Sequence, residues 1–205
     1  MTAEIVTRMP VNVTIHPGWV RVCHWVNAVA IFAMIGSGWQ IYNASPLFGF
    51  TFPASITLGG WLAGALLWHF AAMWVFIING IIYVALSILT GRFRRKLLPI
   101  RPAEVISDAW AAVTFKLAHD DLTHYNAIQK LLYSGVILAG IVIVLSGLSI
   151  WKPIQFQELT TLFGGYDTAR YVHFFAMAAI AGFLVVHITL ALIIPKSLHA
   201  MITGR

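Results

Sequence analysis

Residues 171–195 read YVHFFAMAAIAGFLVVHITLALIIP and contain no aspartate, glutamate, lysine or arginine. About 20 apolar residues in a helix cross a hydrocarbon core of about 30 Å, so this stretch is long enough to span a bilayer. Leu131–Trp151 and Val22–Gly91 lack the same four residue types. The longer stretch has room for two spans and breaks where Asn43, Ser45, Pro46, Gly49 and Pro53 cluster. The expected fold is an all-α membrane protein with four transmembrane helices, near 20–42, 58–90, 127–151 and 169–195, within one domain covering 1–205. The second span is long for one crossing and is expected to tilt or protrude.

Composition agrees. Of 205 residues, 60% are apolar and 10% charged, against about 25% charged in an average soluble protein. The aromatic content of 13% excludes disorder. The net charge of +6 is spread over too few charged residues to coat a nucleic-acid face, so it is read as membrane topology. Eleven of the thirteen Lys and Arg residues fall in the N-terminal tail, the loop between spans two and three, and the C-terminus. Only Lys152 and Arg170 lie in the two opposite loops. Positive loops stay inside, so both termini are expected in the cytoplasm of a multi-pass protein of the bacterial inner membrane. No small-residue cleavage site precedes the first span, which is therefore expected to be retained. Trp19, Trp25, Trp39, Tyr42, Trp151 and Tyr171 sit near span ends, as an interfacial aromatic belt does.

Four of the eight histidines lie inside spans: His24, His69, His173 and His187. An ionisable group at that depth is functional by default. No carboxylate accompanies them, which argues against a proton or ion pathway. Imidazole suits iron and copper. One cysteine, Cys23, excludes a multi-cysteine cluster and a covalent c-type haem. His173 and His187 are fourteen residues apart, which leaves them about 40° apart around the helix and about 21 Å apart along it. That separation is too large for one metal ion and suits two haems at two depths. The topology places His69 with His173 at an outer haem and His24 with His187 at an inner one. Both irons would be six-coordinate, as electron transfer requires. Gly36, Gly38, Gly140 and Gly147 would let a flat ring approach the backbone, although small residues also serve ordinary helix packing in membranes. A faint repeat, Ser37-Gly38-Trp39-Gln40-Ile41-Tyr42 and Ser146-Gly147-Leu148-Ser149-Ile150-Trp151, relates the ends of spans one and three.

Several pieces together resemble the bacterial di-haem b-type cytochromes, the membrane subunits of formate dehydrogenases, nickel–iron hydrogenases and thiosulfate reductases. They are Arg21-Val22-Cys23-His24-Trp25 at the start of span one, His69 in span two, Tyr125-Asn126-Ala127-Ile128-Gln129-Lys130 at the start of span three, and His173-x13-His187 in span four. The resemblance covers about 16–195 and implies the same histidine pairing. It also implies a quinone pocket beside the inner haem at Asn126, Tyr125 and Gln129. Asn126 can equally cap the third helix. Arg21 is either a partner of a haem propionate or a positive anchor. The segment 91–126 departs from the formate dehydrogenase pattern by its length, and His119-Asp120-Asp121-x2-His124 within it reads as a solvated surface, a proton route or, least well, a metal site. His16 and His199 read as ordinary interfacial residues.

These features describe an electron conduit carrying two haem b groups. It would link a periplasmic molybdenum or iron–sulfur subunit to the quinone pool, in contact with membrane lipid and without nucleic acid. A stand-alone oxidase of a small donor such as superoxide, and a haem-free transporter or assembly factor, are the alternatives.

Overall fold

The computed structural model describes residues 14–114 and 125–205. Four long helices dominate: α1 (Gly18–Ala44), α2 (Leu62–Leu89), α5 (Ala127–Trp151) and α7 (Tyr166–Ile193). Their 25 to 28 residues extend about 38–42 Å at about 1.5 Å per residue, enough to cross a bilayer with some tilt. Short helices α3 (Arg92–Leu97), α4 (Pro102–Val113), α6 (Gln157–Leu162) and α8 (Pro195–Thr203) sit between or after them. No strand occurs among the described residues.

The bundle is apolar on the outside and small inside. Val29, Leu67, Leu138, Val185 and Leu192 point outward, while the largest side chains that are wholly buried are Ser37, Ser146 and Ser149. Lipid removes the hydrophobic drive between helices, so close packing of small residues and interhelical hydrogen bonds must hold them. Asn79 supplies one such bond set from inside α2: its Nδ2 donates to the Cys23 carbonyl at 2.8 Å and to Asn27 Oδ1 at 2.7 Å, both on α1. Helices α1 and α2 form one tight hairpin and α5 and α7 another, with few close approaches between the two.

Helix α2 starts at Leu62, later than the expected 58, because Gly59 and Gly60 adopt positive φ of 108° and 72°. A Cβ on Gly59 would lie 2.4 Å from the Ala65 nitrogen, so only glycine makes this turn. The preceding loop folds back onto α1, where Leu58 N donates to the Gly36 carbonyl at 2.9 Å. Asn43 pins the same loop through paired 2.8 Å bonds with the Phe52 backbone.

At the other end, hereafter the basic end, the residues just before α1 meet the last turn of the chain. Ile15 N donates to the Gly204 carbonyl at 2.9 Å, and Arg21 Nη1 donates to the Ile202 carbonyl at 2.6 Å. Pro195 starts α8 at its first turn, where a missing N–H is harmless, and so turns the chain back towards α1. His16, expected as an ordinary interfacial residue, is buried here, and Arg92 Nη2 donates to its Nδ1 at 3.3 Å. Burial first, then the charges of Arg92 and Lys96, with smaller contributions from His24 and Arg21, lower the His16 pKa to about 4.

His16 is therefore neutral in the folded protein, and an unfolded chain titrates it near 6.5. The unfolded state takes the proton first, so the stability contribution is intact above about 6.5 and falls away as pH drops towards 4. Thermal unfolding of the detergent-solubilised protein should show a falling midpoint between pH 7 and pH 5. His16→Gln should flatten that slope, and an identical slope in both proteins would exclude His16 as its source.

Candidate haem-ligating histidine pairs

Each in-span histidine faces another across the gap between the hairpins. His24 on α1 and His187 on α7 have ring centres 6.0 Å apart, with planes inclined by 58°. His69 on α2 and His173 on α7 have centres 6.4 Å apart, inclined by 59°. A metal–imidazole bond of about 2.0 Å, with about 1.1 Å from nitrogen to ring centre, puts two axial imidazoles about 6.2 Å apart across one metal ion. Both pairs have about that spacing. The residues present therefore fit a six-coordinate haem iron at each pair.

The surroundings of the pairs differ. At the far end, His69 Nδ1 lies 3.0 Å from Ser37 Oγ, and His173 Nδ1 lies 3.1 Å from Ser146 Oγ. Gly38 and Gly147 follow these serines, and a Cβ there would approach the His69 and His173 Cε1 atoms to 3.5 and 3.1 Å. At the basic end, His24 Nδ1 and Arg21 Nε are buried without a hydrogen-bond partner among the described residues. Phe183 stacks on His187 at 5.4 Å with planes 11° apart. An orphaned buried guanidinium nitrogen and an orphaned imidazole nitrogen fit a site that receives an anionic, metal-bearing group.

The glycines serve several ends. Gly38 and Gly147 accommodate the histidine rings, whereas Gly36 faces Leu58 at 3.3 Å and Gly140 faces Phe76 at 3.6 Å.

Asn126 caps α5. Its Oδ1 accepts from Gln129 N at 2.8 Å, and Gln129 Oε1 accepts from Asn126 N at 3.1 Å, a reciprocal capping box. Asp108 Oδ2 satisfies the next amide, Ala127 N, at 2.7 Å, which ties α4 to the start of α5. The cap uses both side-chain carbonyl oxygens and leaves both NH2 groups out of it. Tyr125 stands beside Tyr133 at 5.0 Å between ring centres, with Lys96 Nζ 5.5 Å over its ring. Burial pushes the Tyr125 phenol up. The His119, Asp120, Asp121 and His124 cluster lies outside the described residues, among which no group of three or more His, Cys, Asp or Glu is placed to hold a metal ion.

Sequence reasoning did not nominate Ser37, Ser146, Asn79 or Phe183. The Ser-Gly repeat was the available signal for the first two. A polar residue inside a span was the signal for Asn79. No pattern in sequence marks Phe183.

Four apolar helices carrying half-buried imidazoles that face one another are the architecture of a membrane b-type cytochrome. Residues 15–204 match the family described as prokaryotic cytochrome b561, and the chain belongs to that family. It is thus a haem-binding electron-transfer subunit, multi-pass in the bacterial inner membrane. It is also similar to a curated protein of Azospira oryzae, the putative protein-methionine-sulfoxide reductase subunit YedZ1. The two are 50% identical over 191 residues, covering 93% of this chain and 96% of that one.

The cap has a simple test. Asn126→Ala should lower stability by about 1 kcal/mol, while Asn126→Ser and Asn126→Asp should retain most of it. Thermal unfolding in one detergent compares the set, and equal midpoints would show that the box contributes nothing.

Proposed function

We propose that the whole chain, 1–205, is one cytochrome b domain with two haem b groups, one held by His69 and His173 and one by His24 and His187. The observation that carries this is the spacing of the two pairs, 6.4 and 6.0 Å between ring centres, at two depths of α7. Bound haem supplies one-electron carriage through its iron. His24 with His187 and His69 with His173 would hold the iron-bearing groups, and the apolar walls of the bundle would exclude water from them. Arg21 pairs with a propionate in this reading, which its buried Nε, without a partner among the described residues, supports.

Both termini and the basic end face the cytoplasm in this reading, on the strength of Arg92, Arg94, Arg95 and Lys96 directly after α2. The pair His24 and His187 is then the inner one. A quinone binds beside it, near Tyr125, Asn126 and Gln129. The cap consumes Asn126 Oδ1, so its amide nitrogen is the donor for a quinone carbonyl.

The partner is a periplasmic catalytic subunit, of molybdenum or iron–sulfur type, docked on the loops at 43–57 and 152–168. The name of the Azospira oryzae relative supports a protein-methionine-sulfoxide reductase in that role. Quinol oxidation releases two electrons and two protons. Reduction of a sulfoxide to a thioether consumes two electrons and two protons and releases water, so the two half-reactions balance across this chain.

A pyridine haemochrome assay on the purified chain should return about two b haems per polypeptide. His69→Ala and His173→Ala should each remove the same spectral component and leave the other. Loss of different components in the two variants would break the pairing, and absence of haem from the wild type would end the redox reading.

Asn126→Asp should keep the cap yet lose the donor, because an ionised carboxylate only accepts. Haem reduction by added quinol should then need about tenfold to a hundredfold more quinol, the equivalent of roughly 1–3 kcal/mol. An unchanged quinol dependence removes Asn126 from the pocket.

A further inference from the structure

The two hairpins repeat each other at the far end. Counted from Gly18 and Ala127, Ser37 and Ser146 are each the twentieth residue of their helices. Counted from Leu62 and Tyr166, His69 and His173 are each the eighth. Each serine meets its histidine through Nδ1, at 3.0 and 3.1 Å, and each is followed by the glycine on which that ring rests.

The direction of these bonds follows from counting protons. Ser37 Oγ has one, and it is donated within α1 to the Ala33 carbonyl at 2.6 Å, with Met34 O at 3.3 Å. Ser146 donates within α5 to the Val142 carbonyl at 2.8 Å, with Ile143 O at 3.2 Å. Each hydroxyl oxygen therefore meets the imidazole as an acceptor. The histidines must carry their proton on Nδ1, which leaves the Nε2 lone pair for a metal. Self-satisfaction of a serine in a membrane helix needs no histidine: Ser149 bonds back to the Leu145 carbonyl at 3.2 Å, and no imidazole is among its bonding partners. Both Ser37 and Ser146 are wholly buried, so no bulk water competes for the bond.

The repeat stops at the basic end. His24 is the seventh residue of α1, and the seventh of α5 is Tyr133. His187 is the twenty-second of α7, and the twenty-second of α2 is Tyr83. His24 Nδ1 has no hydrogen-bond partner among the described residues.

We infer that Ser37 and Ser146 are positioning residues of the outer site, which fix the tautomer and ring orientation of His69 and His173 and make that site unlike the inner one. This rests on the reading of those histidines as iron ligands. A hydrogen bond accepted from Nδ1–H makes the imidazole a more basic ligand and favours the more highly charged iron. The outer haem is thereby held more tightly, and at a lower midpoint potential, than its ligands alone would set.

The experiment is a redox titration, with haem-retention measurement, on the full chain and on Ser37→Ala, Ser146→Ala and the matching threonine variants. In either alanine variant the outer component, defined as the one lost in His69→Ala, should be retained about 10–100-fold less tightly and should titrate at a higher potential. The inner component should not move. Threonine keeps a hydroxyl oxygen and should restore both properties. If Ser37→Ala yields no protein, Ser37→Cys, with a weak acceptor in a similar volume, should fall between alanine and wild type. An outer component unchanged in every variant overturns the inference, and so does an equal shift of both components, which would report loosened packing. Wild type without haem would instead fail the haem assay itself, before any serine variant is compared, and the inference would fall with the reading beneath it.

Discussion

An imidazole inside a membrane span must be partnered, and here two pairs face each other, His24 with His187 and His69 with His173. That constraint organises the rest. Helices in a membrane gain nothing from hydrophobic burial against one another, so the two hairpins close internally on serine, alanine and glycine and approach each other closely at few points. The large apolar side chains turn to the lipid. What remains in the gap is the set of polar groups that a metal-bearing ring would satisfy. Ring separations of 6.0 and 6.4 Å suit a shared metal ion.

The basic end is assembled differently from the far end. There the residues just before α1, the start of α1, α3 and the C-terminal turn are joined by Arg21, His16 and Arg92 in a cluster of charge-assisted bonds. Keeping His16 neutral beside two guanidinium groups needs burial as well as charge, and both act in the same direction. Helix α4 docks on the start of α5 through Asp108, so the loop that carries most of the positive charge is also the one that finishes the capping of a membrane helix.

The far end is aromatic rather than charged. Tyr42, Phe48, Phe50, Phe52 and Phe174 interlock there, and Arg170 reaches the Ser45 hydroxyl at 3.1 Å. This packing ties the loop at 45–57 to α1 and α7 at the far end.

The four spans were legible because crossing a bilayer demands a length and a composition, and both are one-dimensional properties. Charge bias and histidine depth are of the same kind, readable by counting along each helix. The capping box at Asn126 was legible as an alternative, since Asn followed by Gln three residues later is a local pattern. Other features depend on which residue lies across the gap. Ser37 and Ser146 stood in a visible repeat, but their bonds to His69 and His173 span 32 and 27 positions of sequence. Asn79 reaches Cys23 over 56 positions, and His16 meets Arg92 over 76. The sequence determined four membrane helices with imidazoles at two levels. Tertiary structure alone decided what meets Nδ1 of each far-end imidazole, because the serine that lies there comes from another helix.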